Sequence, residues 1–322
     1  MTEASFDYRR LAYALFRSRL HLATDGEELA LLRFAVALCD VQIFFRTEDE
    51  LQRLALLGLL QNILDLASTP AADDAEIFDY LQETVVHLKY LATEPVVEKA
   101  AWRESPLSVG ALSVPGMLTR DTMRYYRWLG GTLTGAGEAV EIGCWMGRST
   151  YPLAEGLAAN QSFEGHRLHA LDAFTWSVWL KNYVANHGDE FSPEVQARFG
   201  ALAVGDSFEH LFLEFCAPYK RFIKPRPCYV YHDGKSGEIP PLEWGGEPVE
   251  LLIQDISSGP TLVQKVWDIF LPSFIPDKTI IVFQQYGHMR AEGLRRFCRE
   301  KADVLLPLHK PYGVAKAFRF TG

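Results

Sequence analysis

Over residues 5–92 apolar side chains recur at intervals of three and four, the spacing that gathers them on one face of a helix. The first run, residues 6–22, aligns Tyr8, Leu11, Leu15 and Leu22, with Arg9, Arg10 and Arg17 on the other side. A second run begins after Asp25 and has Glu27 and Glu28 in its first turn, where the helix dipole favours negative charge. A third opens on Thr47-Glu48-Asp49-Glu50, a capping box in which hydroxyl and carboxylate satisfy reciprocal backbone donors. It continues through Leu51, Leu54, Leu57, Leu60 and Leu64, and Gly58 weakens it by roughly 1 kcal/mol relative to alanine. A fourth follows Asp73-Asp74 and carries Ile77, Leu81, Val85 and Leu88. Short connections favour antiparallel neighbours, so an all-α bundle is expected here.

After a connector over residues 93–116, marked by Pro95, Pro106 and Pro115, the pattern changes. A helix over 119–129 leads through Gly130-Gly131 and Gly135-Ala136-Gly137 into short continuous apolar runs, the signature of strands buried on both faces. These runs fall at residues 139–142, 167–172, 228–232, 249–255 and 279–283, with helical stretches near 193–200, 206–217 and 261–271. Residues 304–308 and 314–320 flank Lys310-Pro311-Tyr312-Gly313 and read as a hairpin. The expected fold is α/β, a mostly parallel sheet with a C-terminal antiparallel hairpin, preceded by the helical bundle. The expected domains are residues 1–105 and 106–322.

Composition is that of a globular protein: 48% hydrophobic and 23% charged over 322 residues, with a net charge of −9. The charge is uneven. Residues 1–105 hold 18 acidic and 10 basic side chains, leaving 23 and 22 for the remainder. An acidic surface without a basic stripe repels phosphate backbones, so nucleic acid is not expected as a partner. The most apolar stretch, residues 29–45, is broken by Arg33 and Asp40 and is too short to span a bilayer. No secretory signal opens the sequence, and the five cysteines form no CxxC pair. Both features fit a reducing, cytoplasmic setting. The acidic bundle is a candidate surface for a protein partner or for self-association.

The chemistry concentrates in residues 138–159. A buried strand meets a glycine turn, Gly143 and Gly147, and a helix starts near Arg148. Glycines allow tight conformations and close approach of a ligand, while the new helix aims free N–H groups into the same crevice. The second strand ends in Asp172, 25 residues after Gly147, where a carboxylate can accept hydrogen bonds from ribose hydroxyls. A nicotinamide fold wants G-x-G-x-x-G, whereas this chain offers G-x-x-x-G with Glu141 two residues ahead. A sulfonium cofactor has no pyrophosphate to cradle, and an acid suits its cationic amino-acid portion.

At Val140-Glu141-Ile142-Gly143-Cys144-Trp145-Met146-Gly147-Arg148-Ser149-Thr150 and at Leu171-Asp172-Ala173-Phe174-Thr175 the chain resembles the class I S-adenosylmethionine-dependent methyltransferases. The resemblance is to the subgroup that includes sugar and macrolide-glycoside O-methyltransferases, and it covers about residues 116–322. It implies a Rossmann-like sheet and S-adenosylmethionine as cofactor. It also implies that Glu141, Gly143, Cys144 and Gly147 line the methionine end, with Ser149 near its carboxylate. Asp172 would hold the ribose, and Asp233 would sit beside the adenine.

The chain departs from the subgroup at its fourth and fifth strands. Asp-Gly-Asp-His becomes Asp255-Ile256-Ser257-Ser258-Gly259, and Asp-Asp becomes Gln284-Gln285. Hard divalent cations prefer charged oxygens, so no metal is expected. Asp255 and His288 are then the candidate bases, and Gln284, Gln285 and Tyr286 the candidate acceptor-binding residues, facing a sugar or other small-molecule acceptor. Two alternatives stand beside this reading. One is a catalytically silent methyltransferase-like scaffold protein, for which Gln284-Gln285 speaks. The other is a nicotinamide oxidoreductase, which the missing third glycine disfavours.

Overall fold

The computed structural model describes residues 101–230, 239–256, 259–287, 291–311 and 315–322. The helical bundle expected over residues 1–105 lies outside the described residues, apart from residues 101–105. The chain divides into two units, Met1–Pro95 with His187–Ser192, and Val96–Asn186 with Pro193–Gly322. The second unit carries the sheet.

Seven strands form that sheet: β1 (Glu138–Ile142), β2 (Leu168–Asp172), β3 (Ile223–Pro227), β4 (Val249–Gln254), β5 (Ile280–Phe283), β6 (Leu305–His309) and β7 (Lys316–Phe320). Their order is β3-β2-β1-β4-β5-β7-β6. The pairs among β1 to β5 are parallel, while β7 runs antiparallel to both β5 and β6. This is the Rossmann-like sheet with a terminal antiparallel pair that the sequence leads one to expect. The order reverses between β1 and β4, so a crevice opens beyond their carboxyl ends.

Two helices precede β1: α1 (Val109–Ser113) and α2 (Arg120–Thr132). Thr119 caps α2 by accepting from the Thr122 N–H. On its inner face Met123, Tyr125, Tyr126 and Leu129 are fully buried, each stabilising by roughly 1.5–3 kcal/mol. Trp102 packs against Tyr125, with ring centroids 5.0 Å apart, and its indole donates to Asp121. Gly130 and Gly131, which read as a break, lie inside α2. The reason is contact with α3 (Thr150–Ala159): a Cβ on Gly130 would stand 2.4 Å from the Leu153 carbonyl oxygen, and one on Gly156 2.0 Å from that of Arg127. The two backbones touch, and Asn160 ties the pair off by donating to the carbonyls of Gly130 and Leu133.

Beyond β2 come α4 (Val178–Asn186), α5 (Pro193–Gly200) and α6 (Glu209–Phe215). Of these, α4 was not anticipated. One face of the sheet, through Val140, Ile142, Leu252, Ile281 and Phe283, joins a single apolar cluster with Val263, Val266, Trp267 and Phe270 of α7 (Pro260–Phe270). Leu294 and Phe297 of α8 (Glu292–Glu300) complete it. Glu141 points to the opposite face, where the first turn of α3 meets it.

One strand needs correction. The third strand was expected over residues 228–232, yet β3 is Ile223–Pro227. Pro225 and Pro227 argue against a strand interior, but β3 is an edge strand and spends few N–H groups on pairing. Residues after it turn away: Tyr229 donates to the Pro240 carbonyl, and Leu242 donates back to that of Tyr229. Among the described residues no helix is long and apolar enough to cross a membrane.

Candidate active site

The crevice is built on the turn after β1. Gly143 has φ +85°, and a Cβ there would stand 2.1 Å from the Asp255 carbonyl oxygen. Any side chain would force β1 and β4 apart. The Gly143 N–H donates to the Leu171 carbonyl and the Asp255 N–H to that of Ile142, each at 2.8 Å, so the ends of β2, β1 and β4 are tied together. Gly147 has φ +89°, and a Cβ there would stand 2.5 Å from the Cys216 sulfur. Both glycines are thus required by backbone geometry and packing, before any ligand is considered.

Three carboxylates converge on this turn. Glu141 lies at the end of β1, fully buried, and accepts from the hydroxyls of Ser149 and, at 2.7 Å, Thr150. Ser149 stands at the N-cap of α3 but makes no side-chain cap bond; its hydroxyl goes to Glu141 instead. Burial pushes the Glu141 carboxyl up to about 7; the two hydroxyls oppose this, and the charge of Asp172 adds to it.

Asp172, at the end of β2, accepts from the N–H groups of Trp145 and Phe174, both at 3.0 Å. Those two residues are in the left-handed region, with φ +40° and +49°, so the carboxylate anchors two tight turns at once. Burial raises its pKa from the ordinary value, against the pull of the backbone donors. The N–H groups of Ala173 and Cys144 also favour its charged form.

Asp255 follows β4. Burial pushes it up to about 7; Gln285 opposes the shift, and the charges of Glu141 and Asp172 add to it. Among the described residues its one side-chain hydrogen bond is long, 3.4 Å from Gln285 Nε2. Arg148, the basic residue of the turn, faces elsewhere and donates to the carbonyls of Val114 and Leu118. Among the described residues no basic side chain contributes to the shifts of these three acids. The crevice floor is lined by acids, and it suits a cationic ligand.

Gln284 and Gln285 follow β5 beside Asp255, with the Gln284 N–H donating to the Gln254 carbonyl at 3.0 Å. The Gln284 carbonyl oxygen accepts from the Tyr126 hydroxyl of α2. Tyr126 was missed in the sequence. It is fully buried, and its phenol is raised well above the usual range by burial first, then by Asp255 and Glu141. Its helical spacing signals only packing, and no sequence motif links residues 158 positions apart. Thr150 was missed likewise, although it adjoins Ser149.

Other candidates lie differently. The Cys144 thiol is buried and raised well above its usual range, chiefly by burial and then by Asp172 and Glu141, which makes it a poor nucleophile. The Tyr286 ring is buried in packing, 5.7 Å from that of Phe318 and 4.9 Å from the Lys316 ammonium. Asp233 and His288 lie outside the described residues. Among the described residues no cluster of three or more histidine, cysteine or acidic side chains is arranged to hold a metal ion.

A Rossmann-like sheet with an acid-lined crevice at its switch point is the class of protein that fold and site define. No protein-family model and no curated protein sequence matches the chain. Solved structures of O-methyltransferases do match it. NovP, an O-methyltransferase, is 14% identical over 76% of this chain and 98% of its own, with a TM-score of 0.44. TomG from Streptomyces achromogenes, solved with S-adenosylmethionine, is 14% identical over 73% and 95%, with a TM-score of 0.38. CalS11, a TDP-rhamnose 3'-O-methyltransferase, is 14% identical over 78% and 96%, with a TM-score of 0.36.

Proposed function

We propose that this chain is a methyltransferase that uses S-adenosylmethionine to methylate a hydroxyl of a sugar or glycosylated small molecule, without a metal. The observation that carries the reading is the set of three carboxylates, Glu141, Asp172 and Asp255, at the ends of β1, β2 and β4, whose hydrogen-bond partners among the described residues are hydroxyls, backbone N–H groups and an amide. A nucleotide with a pyrophosphate would be repelled there, whereas a sulfonium cation would be drawn in. The residues present fit such a cofactor: Asp172, at the end of β2, would accept from ribose hydroxyls, and the charges of Glu141 and Asp255 would favour the cationic portion.

When bound, the cofactor would supply an electrophilic methyl group, with the neutral thioether as leaving group. The acceptor proton must leave, and Asp255 is the residue we assign to take it. A carboxylate pushed up to about 7 is a stronger base than an ordinary one and is still substantially ionised near neutrality. Gln284 and Gln285 supply neutral polar groups beside it.

The test is calorimetry with S-adenosylmethionine and with S-adenosylhomocysteine, each with and without EDTA, followed by mass spectrometry of acceptor mixtures. Binding of both, unaffected by EDTA, and a methylated product are expected. Absence of binding at millimolar ligand overturns the proposal. Binding without turnover on any acceptor favours the scaffold reading, which the amide pair at the end of β5 also suits.

A further inference from the structure

The crevice is lined by acids, but one edge of the same sheet is basic. Residues 217–230 hold four basic side chains, Lys220, Arg221, Lys224 and Arg226, and no acidic one, in a chain whose net charge is −9. All four lie on or just before β3, the edge strand, which β2 separates from β1 and the crevice. Lys220, Arg221 and Lys224 are exposed, and Arg226 is half-buried. Among the described residues none of the four is in an ion pair, whereas Arg127 pairs with Glu155 and Arg198 with Glu214.

The two guanidinium groups are held by aromatic rings. Arg221 lies over Phe222 and Arg226 over Trp244, at 4.6 and 5.3 Å from the ring centroids. A guanidinium resting on a ring keeps its N–H groups for an outside acceptor and loses less rotamer freedom on binding. Lys224 and Arg226 alternate with Pro225, so they project to one side of β3, about 7 Å apart. Pro225 and Pro227 present no N–H, so recognition at this edge falls to side chains. Both rings are engaged within the chain, and Trp244 also meets His169 and Phe270 at 4.9 and 5.2 Å. The strip therefore suits a row of carboxylates better than a nucleic acid, which needs open rings for its bases.

We propose that Lys220, Arg221, Lys224 and Arg226 form a docking strip for an acidic peptide segment of a partner protein. Its carboxylates pair with the guanidinium and ammonium groups along the β3 edge. The acidic remainder of the chain repels such a segment, which confines docking to this edge. The strip is separate from the crevice, so the proposal stands apart from methyl transfer.

The test is fluorescence anisotropy of a labelled glutamate-rich peptide titrated with the full chain. Binding is expected to weaken about tenfold as salt rises from about 50 to about 200 mM. At low salt, Lys224→Glu combined with Arg226→Glu should weaken it about tenfold or more through like-charge repulsion. Lys220→Glu combined with Lys224→Glu, both exposed, should do the same, so the test survives if reversing the half-buried Arg226 harms folding. Lys181→Glu combined with Lys278→Glu makes the same charge change at exposed positions outside the strip and should keep affinity within about twofold. No binding, or an equal loss in that control pair, overturns the proposal. Tighter binding of oligothymidine, or of phosphatidylcholine vesicles containing phosphatidylserine, overturns it in favour of a nucleic acid or a membrane. Self-association that the strip variants abolish assigns the edge to a second copy and equally overturns it.

Discussion

At the two ends of the central strands, carboxylates keep different company. At the amino end, Glu138 of β1 accepts from His166 Nδ1 at 3.1 Å, the Arg167 N–H at 2.7 Å and His169 Nε2 at 3.1 Å. Glu250 of β4 likewise accepts from the N–H groups of Thr134 and Ala136. These acids hold loops, and the loops supply their donors. At the carboxyl end burial raises Glu141, Asp172 and Asp255; the charge of Asp172 adds to Glu141, those of Glu141 and Asp172 add to Asp255, and donors thin out from Asp172 to Asp255. One strand thus carries both kinds, three residues apart. A carboxylate saturated by its own fold maintains structure, whereas Asp255, left with one long hydrogen bond among the described residues beside two other acids, is available for chemistry.

The sharpest way to break this contrast is to remove a charge at each end. Asp172→Asn should weaken binding of S-adenosylmethionine about 100-fold by calorimetry, because two hydrogen bonds to a charged group are compromised. Glu250→Ala should leave that affinity within about twofold but cost about 2–4 kcal/mol in urea unfolding, as two backbone donors lose their acceptor. If the two variants exchanged phenotypes, the contrast would be wrong.

Acidity offers a subtler probe. Glu141 and Asp255 keep their protons to about pH 7 in the folded chain, but release them near about pH 4 once unfolded. The folded state therefore binds extra protons between those values, and its stability should fall as pH rises through that window, by several kcal/mol in all. Asp255→Asn should flatten the profile of melting temperature against pH; an unchanged slope would count against the raised carboxyl. Over the same range affinity for the cationic S-adenosylmethionine should rise more steeply than for S-adenosylhomocysteine, whose sulfur is neutral. Smallest of all, Ser149→Ala removes one hydroxyl from Glu141 and should change cofactor affinity only by about threefold.

Much of this was legible in the chain. The acids announce themselves because each ends or closes an apolar run, and Gly143 and Gly147 stand where a strand must turn into a helix. The terminal hairpin was legible too, from two apolar runs around Lys310-Pro311. What stayed hidden depends on contacts between distant segments. Gly130 reads as a helix breaker until Leu153 is known to press on it, and Tyr126 reads as core until its hydroxyl is found on Gln284. Strand β3 was displaced because its prolines suppress the usual strand signal, and only its position at the sheet edge makes them tolerable.

Those prolines have a consequence beyond the placement of a strand. The opposite edge, β6, also contains a proline, Pro307, at a break in its register with β7. Both borders of the sheet thus interrupt the row of N–H groups that an incoming strand would need. The sheet is closed to lateral extension, which guards against edge-to-edge aggregation during synthesis and storage. Any assembly of copies must therefore be mediated by helices and loops, and its strength is tunable by surface substitutions that leave the sheet untouched.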